Sequence, residues 1–390
     1  MTVLMAHRNQ ASIENGRFKV DRKFLLGMQD YARQVREPLI TVHPELAAGK
    51  TAMDAVEVPC SQLPFRVMTV KVDDWGRTRP DDVPRLREEI SRCKLVYGEG
   101  LGATALAHAL RIPYIPILEY DLRTQIVVAT GASANPLRRT NAAVQCGWHY
   151  LRSTVPEMRR AHSLHCNGYP IYEAAEPHNR NRLLYLDSRM SGDMLIPAEE
   201  LAARLAGRGD RPLRLLYSGR YERMKGTDDA LRAGLECLRR GLDVEMHLYG
   251  QGSLRAQLQQ LAGQAAPPGR IHVHDAVPFP ELARIARTFD VFVCCHVQSD
   301  PSCTYLESFG AGLPIVGYGN RMWRRLAEHS GAGYVTPMGR PASIAAAIQR
   351  LASDPAALAD LSAKALAFAR EHCFEREFAK RTDALNAAVQ

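Results

Sequence analysis

A chain of 390 residues with a formal net charge of +8, 46% apolar and 24% charged residues has globular composition and enough length for two domains. No apolar run approaches the roughly 18 residues that cross a bilayer, the N-terminus MTVLMAHRNQ has no signal-peptide core, and nine scattered cysteines lack paired Cys-x2-Cys or Cys/His metal spacing. The reading is a cytoplasmic protein with reduced thiols and no metal. The basic excess calls for an acidic partner; with no nucleic-acid motif and no aromatic-basic interleaving, a diphosphate or an anionic membrane surface remains.

Residues 1 to about 187 read as one α/β domain. Val3 to Ala6 is a short first strand, followed by a polar loop from His7 to Asp21 with Asn15-Gly16 as a turn signal. Phe24, Leu25, Met28, Tyr31, Ala32 and Val35 have helical period; Leu39–Val42 and Arg66–Val72 are strands. A strand from Lys94 runs into the Gly-rich turn Gly98-Glu99-Gly100-Leu101-Gly102. It has neither the full dinucleotide spacing nor a Lys-Ser/Thr ending, so a tight structural turn outweighs a phosphate loop. Ile112–Leu118, with Pro113 and Pro116, reads as an edge or irregular strand. It delivers Glu119, Tyr120 and Asp121 to its carboxyl end, where a site and a simple helix cap are equally good readings. Pro136 to His162 is amphipathic, with Val144, Trp148, Leu151, Val155 and Met158 on one stripe and arginines on the other. A core-packed helix broken at Pro156 outweighs attachment to a membrane surface.

Residues 188 to 370 read as a second domain. Arg214–Gly219 is a buried strand ending in glycine, with the cation Arg220 next and Lys225-Gly226 closing the loop. Val244–Tyr249 leads into Gly250-Gln251-Gly252, Ile271–Val277 is a strand, and Val291–Cys295 is an unbroken apolar run. After a polar turn from His296 to Pro301, Ser302 stands at an N-cap position before a helix carrying Tyr305, Leu306, Glu307 and Phe309; Leu313–Tyr318 is the next strand. This alternation implies a doubly wound parallel sheet. A final helix within 371–390 is amphipathic and is expected to pack back on the first domain.

Loops after parallel strands share one edge of the sheet, so Arg220 with Lys225, the turn after Tyr249 and the Ser302 helix should converge there. Two charge-assisted hydrogen bonds to a diphosphate would supply about 3–6 kcal/mol, against about 0.3–2 kcal/mol from the helix dipole. A lone helix glutamate such as Glu307 is usually just solvated; at this edge a carboxylate is instead placed to hold a sugar diol.

The ordered set Gly219-Arg220-x4-Lys225-Gly226, Leu248-Tyr249-Gly250-Gln251-Gly252 and Asp300 to Pro314 resembles the donor domain of GT-B glycosyltransferases, in particular the retaining glycosyltransferase family 4. The resemblance covers about residues 213 to 370 and is specific as a set. It implies two Rossmann-like domains facing across a cleft. It also implies that Arg220 and Lys225 hold the donor diphosphate and stabilise its departure, and that Glu307, matching the second Glu of a Glu-x7-Glu motif, holds the nucleotide ribose. Gly219, Gly250 and the main chain at Ser302, Cys303, Thr304 and Tyr305 then meet phosphate and sugar, and His274-Asp275-Ala276 lies where the base sits. The first Glu of the motif falls on Ser299, with Asp300 one residue late, which leaves the donor sugar open. On the acceptor side the usual Gly-Gly loop is replaced by Asn15-Gly16. Glu119 with Tyr120-Asp121 resembles a subset of bacterial polysaccharide glycosyltransferases, Glu119 orienting the acceptor or stabilising the sugar cation.

The implied activity is retaining transfer of a sugar from a nucleoside diphosphate to the hydroxyl of a carbohydrate, lipid-linked or other acceptor, without a metal or other cofactor. The chain would work in the cytoplasm, with attachment at the inner face of the membrane as a further option. A nucleotide-sugar epimerase and a non-catalytic nucleotide-sugar-binding protein are the rivals.

Overall fold

A computed structural model describes residues 2–46, 55–74, 76–131, 135–209 and 211–390. They form two compact units: 1–122 with 143–185 and 377–390, and 123–142 with 186–376. The chain thus leaves the first unit after Tyr185 and re-enters it at Glu377.

In the first unit a seven-stranded parallel sheet has, in spatial order, Arg66–Val70, Leu39–Pro44, Thr2–Ala6, Cys93–Gly98, Tyr114–Leu118, Leu164–Asn167 and Arg182–Tyr185. Thr2–Ala6 and its neighbours are apolar because helices or loops cover both faces; Val3, Leu4 and Met5 have no exposure. The order reverses between Thr2–Ala6 and Cys93–Gly98, and the Gly-rich turn follows the latter. Gly98 has φ of 122°, and a side-chain carbon there would lie 2.0 Å from the Ala6 carbonyl oxygen. The tight-turn reading of this glycine is therefore the physical one.

Three expectations are corrected here. The polar loop from His7 to Asp21 contains a hairpin, Ser12–Glu14 and Arg17–Asp21, extended by Ala55–Pro59 into an antiparallel sheet. Asn15 and Gly16, with φ of 49° and 71°, are its turn, both left-handed as a two-residue hairpin loop of type I′ requires. Tyr114–Leu118 is an interior strand despite its prolines. Pro116 lies at the last pairing with Cys93–Gly98, and pairing with Leu164–Asn167 begins at Ile117, so no ladder interrupts at the missing N–H. The basic amphipathic segment is not core-packed along its length. The helix Pro136–His149 buries no residue, a π-helical turn spans Tyr150–Thr154, and Pro156 begins rather than breaks the helix Val155–Arg160. Val144, Trp148 and Leu151 are each more than 60% exposed; only Val155 and Met158 of the predicted stripe are buried.

The helix Phe374–Ala388 supplies residues 377–390 to the first unit. Phe378 packs on Tyr31 at 5.0 Å between ring centroids, and the Arg381 guanidinium stacks over Phe378, Tyr185 and Tyr31. Asn386 Nδ2 donates to the Gln34 carbonyl, closing the end of the helix Arg22–Gln34.

The second unit has a six-stranded parallel sheet: Ile271–His274, Val244–Tyr249, Leu213–Ser218, Val291–Cys294, Ile315–Tyr318 and Gly333–Thr336. Numbered along the chain this is the order 3-2-1-4-5-6, whose switch point lies between Leu213–Ser218 and Val291–Cys294. Helices leave neighbouring strands in opposite directions there, so the carboxyl edge opens into a crevice.

Candidate functional site

Two loops emerge at that switch point, one after Ser218 and one after Cys294. The first is clamped by its own backbone. The Arg220 carbonyl accepts from the Tyr217 and Thr227 hydroxyls, both at 3.1 Å, and from the Glu222 N–H at 2.9 Å. Tyr221 N–H donates to the Gln251 carbonyl, and the Tyr221 hydroxyl donates to the Leu248 and His274 carbonyls at 2.7 Å. Three strand ends are thereby tied together. Gly250 is required by closeness: a side-chain carbon there would meet the Gly219 carbonyl oxygen at 1.9 Å. Gly226, at φ of 61°, likewise abuts the Cys295 carbonyl. The sequence spacing Gly219-Arg220-x4-Lys225-Gly226 is thus the length of chain that turns back onto Val291–Cys295.

With the backbone pinned, Arg220 is exposed. Lys225 is buried, and its Nζ donates to Asp300 Oδ2 at 2.6 Å. Both cations act on His296, which is almost fully buried at the start of the second loop. Burial first, then Lys225 and Arg220, hold its imidazole down at about 3, against the opposing pull of Asp300. A neutral His296 therefore stands among Arg220, Lys225 and Asp300. Its Nδ1, Gln298 Oε1 and Asp300 Oδ1 are buried without a hydrogen-bond partner, a cost that native structures rarely carry without a ligand or water in place.

The second loop is fixed from below. Asn320 Nδ2 donates to the His296 carbonyl at 3.0 Å and to the Tyr305 hydroxyl, while Asn320 Oδ1 caps Trp323 N–H. Ser299 Oγ accepts from Arg321 N–H at 3.1 Å. Ser299 thus serves the main chain, and the nearby carboxylate is Asp300, already paired with Lys225. The ion pair changes the expected energetics: Lys225 is neutralised before any diphosphate arrives, so Arg220 is the cation with its charge still to place.

Ser302 is not the helix cap. The helix spans Thr304–Gly310, with Cys303 at the cap position and no side-chain cap bond; Ser302 Oγ instead pairs with Thr304 Oγ1 at 3.0 Å. Cys303 Sγ donates to Asp187 Oδ2 at 3.4 Å. At the other end Arg204 donates to the Ala311 and Gly312 carbonyls at 2.8 and 2.7 Å, a cation on the helix carboxyl terminus where the dipole favours it.

Glu307 is buried and paired. Arg189 Nε and Nη2 both reach its Oε1, at 2.7 and 2.6 Å, and the guanidinium stacks 4.3 Å over the Phe279 ring. Glu307 Oε2 takes no part in that pair. Arg189, 118 residues away in sequence, carries no motif that marks it, and His296 reads in the sequence only as part of a polar turn. Of the base-side trio, His274 stacks on Tyr249 at 4.3 Å, and Asp275 and Ala276 are exposed, with Asp275 bridged to Arg255 at 2.8 Å.

In the first unit Glu119 is exposed just beyond Tyr114–Leu118, Tyr120 is half-buried, and Asp121 is buried before the helix Leu122–Gly131. Burial, helped by the fields of Glu119 and Glu157, raises the Glu99 carboxyl to about 7 against the pull of Arg8, 3.3 Å away. Glu99, in the glycine turn, is a third residue the sequence did not single out. The hairpin turn Asn15-Gly16 is exposed, and the Gly16 carbonyl accepts from Cys60 N–H.

Residues 212–354 match the family described as glycosyl transferases group 1. Alpha-D-kanosaminyltransferase of Streptomyces kanamyceticus is 28% identical over 177 residues, 45% of each chain. The amylovoran biosynthesis glycosyltransferase AmsK of Erwinia amylovora is 25% identical over 169 residues, 42% of each. The matched stretch thus spans less than half of each of these relatives. Among solved structures, Anabaena Alr3699/HepE in complex with UDP superposes with a TM-score of 0.68 at 14% identity over the whole of both chains. WaaG, a glycosyltransferase involved in lipopolysaccharide biosynthesis, gives 0.65 at 13% over 98% of this chain and 99% of its own. The chain has the GT-B fold, and its residues 212–354 match the glycosyl transferases group 1 family.

Proposed function

We propose that the protein transfers a sugar from a nucleoside diphosphate to an acceptor hydroxyl, with retention, in bacterial polysaccharide or glycoconjugate assembly. The observation that carries this is the meeting of Arg220, Lys225–Asp300 and neutral His296 at the switch point of the second sheet, inside the matched stretch. The bond from the sugar carbon to the phosphate oxygen breaks as the bond to the acceptor oxygen forms, and the acceptor proton passes to the leaving phosphate. Negative charge grows on that phosphate, and a cation fixed before the reaction lowers the barrier most. Arg220, its backbone held by the Tyr217 and Thr227 hydroxyls, supplies that cation, with the Lys225–Asp300 pair sharing its proton donors with the phosphate. Glu307 holds the ribose through Oε2 while Arg189 orients it through Oε1. The base lies against His274, and Glu119 with Tyr120, Asp121 and Asn15-Gly16 serves the acceptor. No metal enters this chemistry. HepE is described in complex with UDP-glucose as well as UDP, which makes uridine diphosphate sugars the first donors to try. No observation favours the epimerase or the non-catalytic reading.

Thermal denaturation with UDP-, GDP-, ADP- and TDP-sugars should single out one nucleotide. A ligand at 100 times its Kd stabilises the native state by about 2.7 kcal/mol. If none of the four shifts the melting temperature, the donor assignment is lost. With the responding donor alone, a new sugar in the NMR spectrum without acceptor would mean epimerisation instead.

Among the described residues no helix is long and apolar enough to cross a membrane. We propose instead that the exposed Val144, Trp148 and Leu151 rest on an anionic membrane surface, with Arg152, stacked 4.2 Å over Trp148, reaching its headgroups. The protein should sediment with phosphatidylglycerol vesicles and not with phosphatidylcholine ones. Trp148→Ala combined with Leu151→Ala should leave it in the supernatant; unchanged pelleting of that variant would remove this surface from consideration.

A further inference from the structure

On the outer edge of the second sheet, period-two alternation places Glu245 and His247 of Val244–Tyr249 on one face. The parallel register sets His247 against His272 and Tyr249 against His274 of the outermost strand. One carboxylate and three imidazoles are therefore side by side. His247 Nε2 lies 2.6 Å from Glu245 Oε1, His272 Nε2 lies 3.6 Å from the same oxygen, and His247 Nδ1 lies 2.9 Å from His274 Nε2. One donor atom from each of Glu245, His247 and His272 falls within 4.8 Å of the others. We propose that these three residues form a binding site for a first-row divalent metal ion, Zn2+ above all, with His274 as the outer partner that orients His247.

Ligands about 2.0–2.2 Å from a tetrahedral zinc ion stand a little over 3 Å apart, so the two separations from Glu245 Oε1, 2.6 and 3.6 Å, need adjusting by less than an ångström. Three protein ligands leave the fourth position to water, on the side where the His272 side chain is 35% exposed. The proton arrangement also suits an ion. In the present hydrogen bonds, His247 Nε2–H faces Glu245 and His274 Nε2–H faces His247 Nδ1. On binding, the His247 proton moves to Nδ1 and points at His274 Nε2, whose own proton moves to its other nitrogen. Each ring stays neutral, and the metal-bound imidazole gains the outer hydrogen bond that such ligands almost always make.

Two groups resist. Arg214 Nε is 3.7 Å from Glu245, but from Oε2, which leaves Oε1 to the ion. His272 Nε2 donates to the Gly269 carbonyl at 3.1 Å and must give up that bond. A set of two imidazoles and one carboxylate suits Zn2+, Co2+, Ni2+ and Cu2+, and suits Mg2+ or Ca2+ poorly, since these take oxygen ligands. The three ligands lie upstream of the strand ends, and only the outer partner His274 is shared with the proposed base-binding side of the transfer site.

The test is titration of the full chain with Zn2+ by calorimetry, in parallel with Co2+ followed by visible absorption. One equivalent should bind, with Co2+ showing a tetrahedral nitrogen-oxygen spectrum and no thiolate charge-transfer band. His247→Ala and His272→Ala should each weaken binding by more than the roughly 10- to 100-fold that loss of an outer partner costs. Glu245→Gln, which keeps size and fold, should do the same, and His108→Ala should change nothing. Absence of binding, a thiolate band, or affinities indifferent to all three ligand substitutions would overturn the site.

Discussion

Arg220→Ala should lower kcat/KM for sugar transfer by about 100- to 1,000-fold, the cost of losing one preorganised donor to developing negative charge, with little change in melting temperature. Its side chain is exposed and its carbonyl, not its guanidinium, holds the loop. Lys225→Ala should behave differently. Removing that ammonium strands Asp300, buried with its second oxygen already unpartnered, and breaking one side of a buried pair costs about 3–5 kcal/mol. The double variant Lys225→Ala with Asp300→Asn should recover most of that loss without recovering activity. Urea unfolding and initial rates on the four proteins separate the two roles. Near-normal turnover by Arg220→Ala would falsify the assignment of the diphosphate to this loop; a stable Lys225→Ala protein would show that the ion pair is not structural.

Acid should destabilise the second unit through His296. Its folded pKa of about 3 lies below the roughly 6.5 of an unfolded histidine, so below pH 6.5 the unfolded chain binds a proton that the native one refuses. The stabilisation is complete above 6.5 and falls away as the pH drops toward 3, at up to about 1.4 kcal/mol per pH unit. Between pH 6.5 and pH 5 this amounts to about 2 kcal/mol at most. The first unit should respond to acid as well. His43 and His165, held at about 4 and about 3 by burial, pull the same way, but Glu99, raised to about 7, takes up a proton on folding and opposes them. Melts of the wild type and of His296→Gln from pH 7.5 to 5 provide the comparison: the wild type should lose stability more steeply, and parallel curves would refute the role given to His296.

The doubly wound architecture was legible because buried parallel strands are continuous apolar runs. Val291–Cys294 and Leu213–Ser218 announce themselves, and Gly219, Gly226 and Gly250 mark where backbones touch. The hairpin Ser12–Asp21 was less legible: only Phe18 and Val20 of its second strand are buried, so polar residues dominate. Periodicity told which face of Pro136–His149 is apolar and nothing of whether a neighbour covers it. The pairs Lys225–Asp300 and Arg189–Glu307 join residues 75 and 118 positions apart, and a single chain carries no sign of such distant partners. The alternation of strands and loops placed Arg220, Lys225 and the segment after Cys294 at one sheet edge, but the charge state of their side chains emerged only from what packs beside them.

The interrupted course of the chain has a consequence for its synthesis. Residues 377–390, with Phe378 and Arg381 lodged among Tyr31 and Tyr185, leave the ribosome only after the whole of the second unit. Domains ordinarily fold in turn from the amino end. Here the segment made first must wait, incomplete, while the segment made later can finish before it.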